Sequence, residues 1–311
     1  MKVFVAGASG AIGKPLVRQL AAAGHEVTGM TSTEANTAGI EAGGARAVVC
    51  DALNADALRE VVGAAKPEVV ISQLTRLPQS YDPRKIDYGP TNRARFEGGR
   101  NLVEAARAAG ARRFLSQSIA FLYAPEGPMV VDEEARPWTE APEPFASGVG
   151  PTLGHERDVL EAEGLEGLVL RYGQFYGPGT YFALDGSIAA EVRRRRFPIV
   201  GRGEGVFSFV HVDDAASATV AACGRGEPGI YNVVDEEPAP LREWLPVYAE
   251  LLGAKRPWRV PTWIARLAAG PFAVISATQL RGARNEKAKR EFGWEPLHSS
   301  WRQGFAESMR G

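Results

Sequence analysis

Apolar runs of strand length alternate with segments of helical periodicity from the first residues of the chain. Lys2 to Ala6, Glu26 to Met30, Ala45 to Cys50, Glu68 to Ser72, Arg113 to Ser116 and Gly167 to Arg171 are short, mostly Val-rich and lack polar alternation. That is the pattern of parallel strands covered on both faces. Between them, Ile12 to Ala23, Asp56 to Ala64, Arg93 to Ala109 and Thr152 to Ala162 repeat apolar residues at helical spacing. Near-strict alternation of the two patterns predicts an α/β fold built on a doubly wound parallel sheet. From about Gly177 the pattern changes to Pro-punctuated segments and longer helices, Leu241 to Leu252 and Thr262 to Leu280. This predicts a smaller, mostly helical lobe over the carboxyl edge of the sheet, where ligands of such folds bind.

The first strand ends in Gly7-Ala8-Ser9-Gly10-Ala11-Ile12-Gly13, a G-x-x-G-x-x-G loop that opens a helix. In that context Gly7 makes the turn, Gly10 lets the backbone approach a pyrophosphate, and Gly13 lets helix pack on strand. The amides of Ala11 and Ile12 at the helix start attract the phosphates. Residues 1–176 are therefore expected to form a dinucleotide-binding Rossmann domain and residues 177–311 a substrate lobe, with segments around 212–234 returning to the Rossmann domain. At the end of the second strand an acid selects NAD and an arginine NADP, but the residues here are Met30-Thr31-Ser32-Thr33. The hydroxyls of Thr31 and Ser32 can bond either form, and without the acid the main repulsion against a 2′-phosphate is gone. The expected cofactor is NAD(P), with a lean to NADP.

With 311 residues the chain has room for both lobes and a buried site between them. Its 36 cations and 37 acids give a net charge of −1, so it lacks the global positive field that recruits nucleic acid or an anionic membrane. Neither partner is expected. Met1-Lys2-Val3-Phe4-Val5 runs straight into glycines without the apolar core of a signal peptide. The stretch Leu267 to Ala277 is interrupted by Gly270-Pro271 and falls well short of the ~20 residues that span a bilayer. A cytoplasmic location is expected. Cys50 and Cys223 cannot make a disulfide framework, and the histidines 25, 155, 211 and 298 lack metal-ligand spacing, so no metal is expected.

Several further segments stand in an order that resembles the short-chain dehydrogenase/reductase superfamily, in its extended or atypical branch, the NAD-dependent epimerase/dehydratase family. After the glycine loop come Asp51-Ala52-Leu53, similar to the acidic turn that contacts adenine, and Gln73-Leu74-Thr75, where the family's fourth strand meets the cofactor. Gly98 to Ala106 is similar to the family's G-T-x-N-L-L-E-A-A helix, and Arg171-Tyr172-Gly173-Gln174-Phe175-Tyr176-Gly177-Pro178-Gly179 to its segment beside the nicotinamide. Phe209 to Ala215 and Lys289 to Pro296 complete the likeness, which spans nearly the whole chain. The resemblance implies cofactor contacts from Tyr172 and Gln174 and a small-molecule substrate. Since members of that family commonly dimerise through two helices flanking the site, it also leaves a homodimer open.

One part of the family pattern is missing. Its Y-x-x-x-K pair, in which tyrosine passes a proton and lysine lowers its pKa, falls on Gly148 and Thr152 when Glu156 is the anchor, and no lysine occurs between Lys85 and Lys255. Ser118 and Tyr123, in a stretch similar to the family's S-S-x-x-x-Y segment, and His155, beside the anchor, are the candidates for catalytic work. The plain alternatives are a strand-end cap for Ser118, a wall aromatic for Tyr123 and a solvated helix histidine for His155. Arg202 and Tyr176 are the substrate candidates. The Arg193 to Arg196 run reads chiefly as cations at a helix end, and His211 with Asp213-Asp214 as a brace between lobes. Phe182, Phe207, Trp244, Trp258 and Trp263 are expected to be core before they are ligand lining. The function expected is an NAD(P)-dependent oxidoreductase acting on a small or medium organic substrate without the dyad. Its rivals are a nucleotide-sugar epimerase or dehydratase, and a non-catalytic dinucleotide sensor.

Overall fold

The computed structural model describes residues 1–78, 80, 89–143 and 145–309. The first half runs β1 (Lys2–Ala6), α1 (Gly13–Ala22), β2 (Glu26–Thr31), α2 (Thr37–Ala42), β3 (Arg46–Val49), α3 (Ala55–Ala65), β4 (Val69–Ser72), α4 (Gly89–Ala108), β5 (Arg113–Ile119), β6 (Val130–Val131), α5 (Ala146–Leu160), β7 (Glu166–Tyr172) and β8 (Gln174–Tyr176). The second continues as α6 (Ser187–Arg193), β9 (Ile199–Val200), β10 (Val206–Phe207), β11 (Phe209–His211), α7 (Val212–Ala222), β12 (Gly229–Val233), β13 (Ala239–Pro240), α8 (Leu241–Leu251), β14 (Arg259–Val260), α9 (Thr262–Thr278), β15 (Gly282–Ala283), α10 (Glu286–Phe292) and α11 (Trp301–Ser308).

The main sheet is seven-stranded, in the order β12-β7-β5-β4-β1-β2-β3, and every neighbouring pair is parallel. Its central strands are buried on both faces: all four residues of β4 and six of the seven in β7 are inaccessible. This is why they lack polar alternation. One face packs Leu16, Val17 and Leu20 of α1 with Ala215 and Ala218 of α7, and the other packs Leu58 and Val62 of α3 with Leu102, Val103 and Ala106 of α4. Strand order reverses between β1 and β4, which opens a crevice at the carboxyl ends of those strands.

The segment around 212–234 returns to this sheet, with α7 against α1 and β12 beside β7 in the register Ile230↔Val169. The smaller lobe joins α6, α8, α9 and α11 to two-residue strand pairs around an aromatic core of Phe182, Phe207, Phe209, Trp244, Tyr248 and Phe305. Trp258 and Trp263 are instead 56% and 64% exposed. Most boundaries differ from the sequence reading by a residue or two. Four differences have a physical cause or bear on the site: β5 reaches Ile119, α5 begins six residues earlier at Ala146, Cys223 caps α7 rather than lying inside it, and α9 breaks at Gly270, whose φ of 82° is left-handed.

Candidate active site

Within the glycine loop the three glycines are needed for different reasons. Gly7 has φ +85°, and a Cβ there would lie 2.4 Å from the Gln73 carbonyl oxygen; a Cβ on Gly13 would lie 2.2 Å from the Gly7 oxygen. The fold itself forbids side chains at both. A Cβ on Gly10 meets nothing closer than 3.4 Å, an ordinary contact with the Gly7 oxygen. Space over Gly10 is therefore kept open without any demand from neighbouring described residues. Helix α1 follows with no side-chain cap and no acid in its first turn, so its leading amides face the crevice as an anion site.

One cleft at the β1/β4 reversal is lined by Gly7, Ser9, Gly10, Thr31, Ser32, Asp51, Ala52, Gln73, Leu74 and Thr75, all singled out in the sequence. Ala11 and Ile12 link Gly10 to α1, which begins at Gly13 with Ile12 as its N-cap. Leu53 of the Asp51-Ala52 turn and Met30 and Cys50 at the strand ends join the lining, and Asn36, Arg76 and Ala94, which the sequence did not point to, complete it. Ser9 Oγ and Thr31 Oγ1 are 3.2 Å apart, and Asn36 Nδ2 donates to both at 3.4 Å. This end of the cleft is a neutral group of hydroxyls and an amide. Asp51 accepts from the Leu53 amide at 3.1 Å and pairs with Arg76 at 3.4 Å. Arg76 follows Thr75 immediately, so the strand-end motif extended by one residue would have found it; Asn36 ends a single 3₁₀ turn, Glu34–Asn36, too short to show a periodicity. Gln73 donates to the Tyr172 hydroxyl at 3.1 Å, while its buried Oε1 has no partner among the described residues. That orphan acceptor and the open cradle over Gly10 fit a dinucleotide rich in donors and anionic oxygens.

A second polar group lies between β5, α5, β7 and β12, and it is closed. Glu156 and Arg171 form a bidentate ion pair, with Nε to Oε1 at 2.9 Å and Nη2 to Oε2 at 2.6 Å, both side chains almost wholly buried. Burial alone would depress the Arg171 guanidinium, but the Glu156 carboxylate more than reverses this and raises it. Ser118, 3% exposed, donates to Glu156 Oε1 at 2.5 Å. Tyr123, 1% exposed, donates to Asn232 Oδ1 at 2.6 Å and receives Arg171 Nη1 at 3.2 Å; burial raises its phenol. His155 of α5 bonds Ser116 Oγ, two residues before Ser118 on β5, at 3.0 Å through Nε2, and burial pushes its imidazole down to about 4. A Cβ on Gly99 of α4 would meet that ring at 2.5 Å, so the histidine fills the α4–α5 seam. His155 is a buried residue, not a solvated one.

Helix α5 has an unusual upper half. Pro151 has no N–H for the Ser147 carbonyl, and Asn92 Nδ2 of α4 donates to that oxygen at 3.3 Å instead. Thr152 Oγ1 donates to the Gly148 carbonyl at 2.7 Å. The substrate candidates are dispersed: Arg202 is 85% exposed and pairs with Glu204 at 3.0 Å, while Tyr176 is fully buried against Phe209 and Phe305. The Tyr172 hydroxyl meets Thr219 of α7 at 2.7 Å between the sheet and that helix, and Gln174 pairs with Phe209 through β8 and β11. Asp214 accepts from the Leu297 and His298 amides at 2.7 and 3.0 Å, clamping the segment before α11 to α7.

A protein with this sheet and this loop belongs to a recognisable class. Residues 3–233 match the model of the NAD dependent epimerase/dehydratase family, and the chain belongs to that family. It is an enzyme of the oxidoreductase and epimerase type. The chain is 46% identical over 305 residues, 98% of its length and 99% of the relative's, to a "3-diazoavenalumate denitrifying reductase" of a Streptomyces species. It is 28% identical, over 94% of its length and 92% of the relative's, to a "4-hydroxy-2-methyl-3-oxo-4-farnesyl-3,4-dihydroquinoline-1-oxide ketoreductase" of Stigmatella aurantiaca. Among solved structures it is similar to the dTDP-glucose 4,6-dehydratase DesIV of Streptomyces venezuelae with NAD bound, with a TM-score of 0.78 at 22% identity over 100% of this chain and 96% of that one.

Proposed function

We propose that this protein is an NADP(H)-dependent reductase that places hydride on the carbon of an organic diazonium carboxylate and releases dinitrogen. The observation that carries this reading is the near full-length match to a relative named a denitrifying reductase of a diazo carboxylate. Reaction balance supports it. When hydride replaces a diazonium group, the C–H bond forms, the C–N bond breaks with its electron pair leaving on nitrogen, and the positive charge is discharged. No alkoxide forms and no proton moves, so the step needs neither a tyrosine acid nor a lysine. Glycine and threonine at 148 and 152 suit such a reaction.

The nicotinamide supplies the hydride when bound. Gly10 with the amides of Ala11 and Ile12 would hold the pyrophosphate, in a loop whose turn and helix packing Gly7 and Gly13 set, and Ser9, Thr31, Ser32 and Asn36 would hold the ribose and its 2′-phosphate. Asp51, Ala52 and Leu74 border the adenine, while Gln73, Thr75 and Gln174 orient the nicotinamide half. Ser118, Tyr123 and His155 act as positioning residues: their polar groups are bound to Glu156, Asn232 and Ser116, which sets the carboxyl ends of β5 and β7 beneath the cofactor. Incubating the enzyme with NADPH and 4-carboxybenzenediazonium, an aryl diazonium being persistent enough in water to assay, is expected to consume one NADPH per dinitrogen released. NADPH protection against melting with no dinitrogen above the enzyme-free rate would contradict the substrate class. Absence of protection by NADPH and NADH alike would contradict the cofactor site.

A further inference from the structure

The tip of the substrate lobe has a composition unlike the rest of the surface. Trp263, Ile264 and Leu267 stand at i, i+1 and i+4 in the first turns of α9 and are 64%, 39% and 82% exposed. Trp258, just before β14, is 56% exposed. Around these side chains cations outnumber acids: residues 193–203 and 251–267 hold nine of the chain's 36 cations and none of its 37 acids, and at their border Glu191 pairs with Arg194 and Glu204 with Arg202. The two segments are joined: β9 pairs with β14, and Arg195 donates to the Arg256 carbonyl at 2.8 and 3.1 Å while its guanidinium covers the Trp258 ring at 3.8 Å. Lys255, Arg256, Arg259 and Arg266 are exposed and form no ion pair among the described residues. The balance of the whole chain averages this asymmetry away.

We infer that this tip docks on an anionic lipid surface. Exposed tryptophan and leucine flanked by arginine is the composition of a monotopic membrane contact, in which rings enter the headgroup layer and cations meet anionic lipid. A second copy meeting the same patch across a two-fold axis would set like charges against each other. A nucleic acid would satisfy the cations and leave Trp263 and Leu267 in water. An anionic bilayer satisfies both.

Sedimentation with lipid vesicles tests this. The protein is expected to pellet with phosphatidylcholine vesicles containing phosphatidylglycerol, to stay in solution with phosphatidylcholine alone, and to be released by high salt. Arg256→Glu and Arg259→Glu are each expected to weaken binding by roughly fivefold or more, and Trp263→Ser with Leu267→Ser by more than about tenfold. All four residues are exposed, so circular-dichroism melts and NADPH protection should be unchanged, which keeps this outcome separate from the fate of the proposed reaction. Any of four results would overturn the inference: no binding to either vesicle, equal binding to both, a dimer mass in light scattering that Trp263→Ser abolishes, or competition of equal strength from single-stranded DNA.

Discussion

The two polar regions of the Rossmann domain stand in opposite states. Along the proposed cofactor cleft, groups are left open: Gly10 with only an ordinary contact at its missing side chain, helix α1 without a side-chain cap, and Gln73 Oε1 without a partner among the described residues. Behind β5 and β7, the Ser118, Tyr123, Glu156 and Arg171 groups are committed to one another and shut from water, and the atoms there unpartnered among the described residues, Asn232 Nδ2 and His155 Nδ1, lie at the edge of that network and not within the ion pair. An uncommitted polar group buried in a folded protein costs free energy unless a ligand meets it, whereas a satisfied network fixes geometry. The contrast separates the groups we propose to hold a dinucleotide from those that hold the fold.

Breaking the closed region should cost the most stability. Glu156→Ala leaves the Arg171 guanidinium buried without its counterion, which costs about 3–5 kcal/mol. A melting temperature roughly 10 °C lower is expected. A drop of a degree or less would mean that the pair is not the keystone of this region. The open region should respond in affinity instead. Gly10→Asp sets a carboxylate where a dianionic group approaches; repulsion at ~4 Å is worth ~4 kcal/mol at an effective dielectric near 20. A roughly thousandfold loss of NADPH affinity follows, with the melt of the free protein nearly unchanged.

Acid sharpens the comparison further. Unfolded, His155 binds a proton near its ordinary 6.5, whereas folded, burial holds it at about 4. The unfolded state thus binds more protons between those values. Stability is whole above about pH 6.5 and declines as pH falls toward 4, by about 3 kcal/mol in all from this group. Denaturant melts across that range should show the slope in the native protein and a flatter one in His155→Gln. The smallest effect belongs to Asn36→Asp. Its carboxylate would face the Ser9 and Thr31 hydroxyls from an exposed, screened position, so NADPH affinity should fall about tenfold while NADH changes little. Equal weakening of both dinucleotides would remove the preference for NADP(H).

Regular repetition made much of this legible in the sequence. The strands showed because burial on both faces erases polar alternation, and the glycine loop because three backbone demands fall at fixed spacing. Glu156 and Arg171 were visible only as motif positions; that they pair with each other, and draw in Ser118 and Tyr123, depends on β5, α5 and β7 meeting in space. His155 resembled a solvated helix residue until α4, with Gly99 against the ring, covered it. Asn36 lies on a turn with no periodicity to announce it, and the charged tip of the lobe disappears in a net charge of −1.

The central claim, hydride delivery without a proton donor, is tested by where the new hydrogen comes from. With NADPH deuterated at nicotinamide C4 and 4-carboxybenzenediazonium in ordinary water, mass spectrometry should find one deuterium in the benzoate, at the carbon that carried nitrogen, for the transferred face of the cofactor. Benzoate free of deuterium with either face labelled, or benzoate that takes its new hydrogen from heavy water, would contradict it.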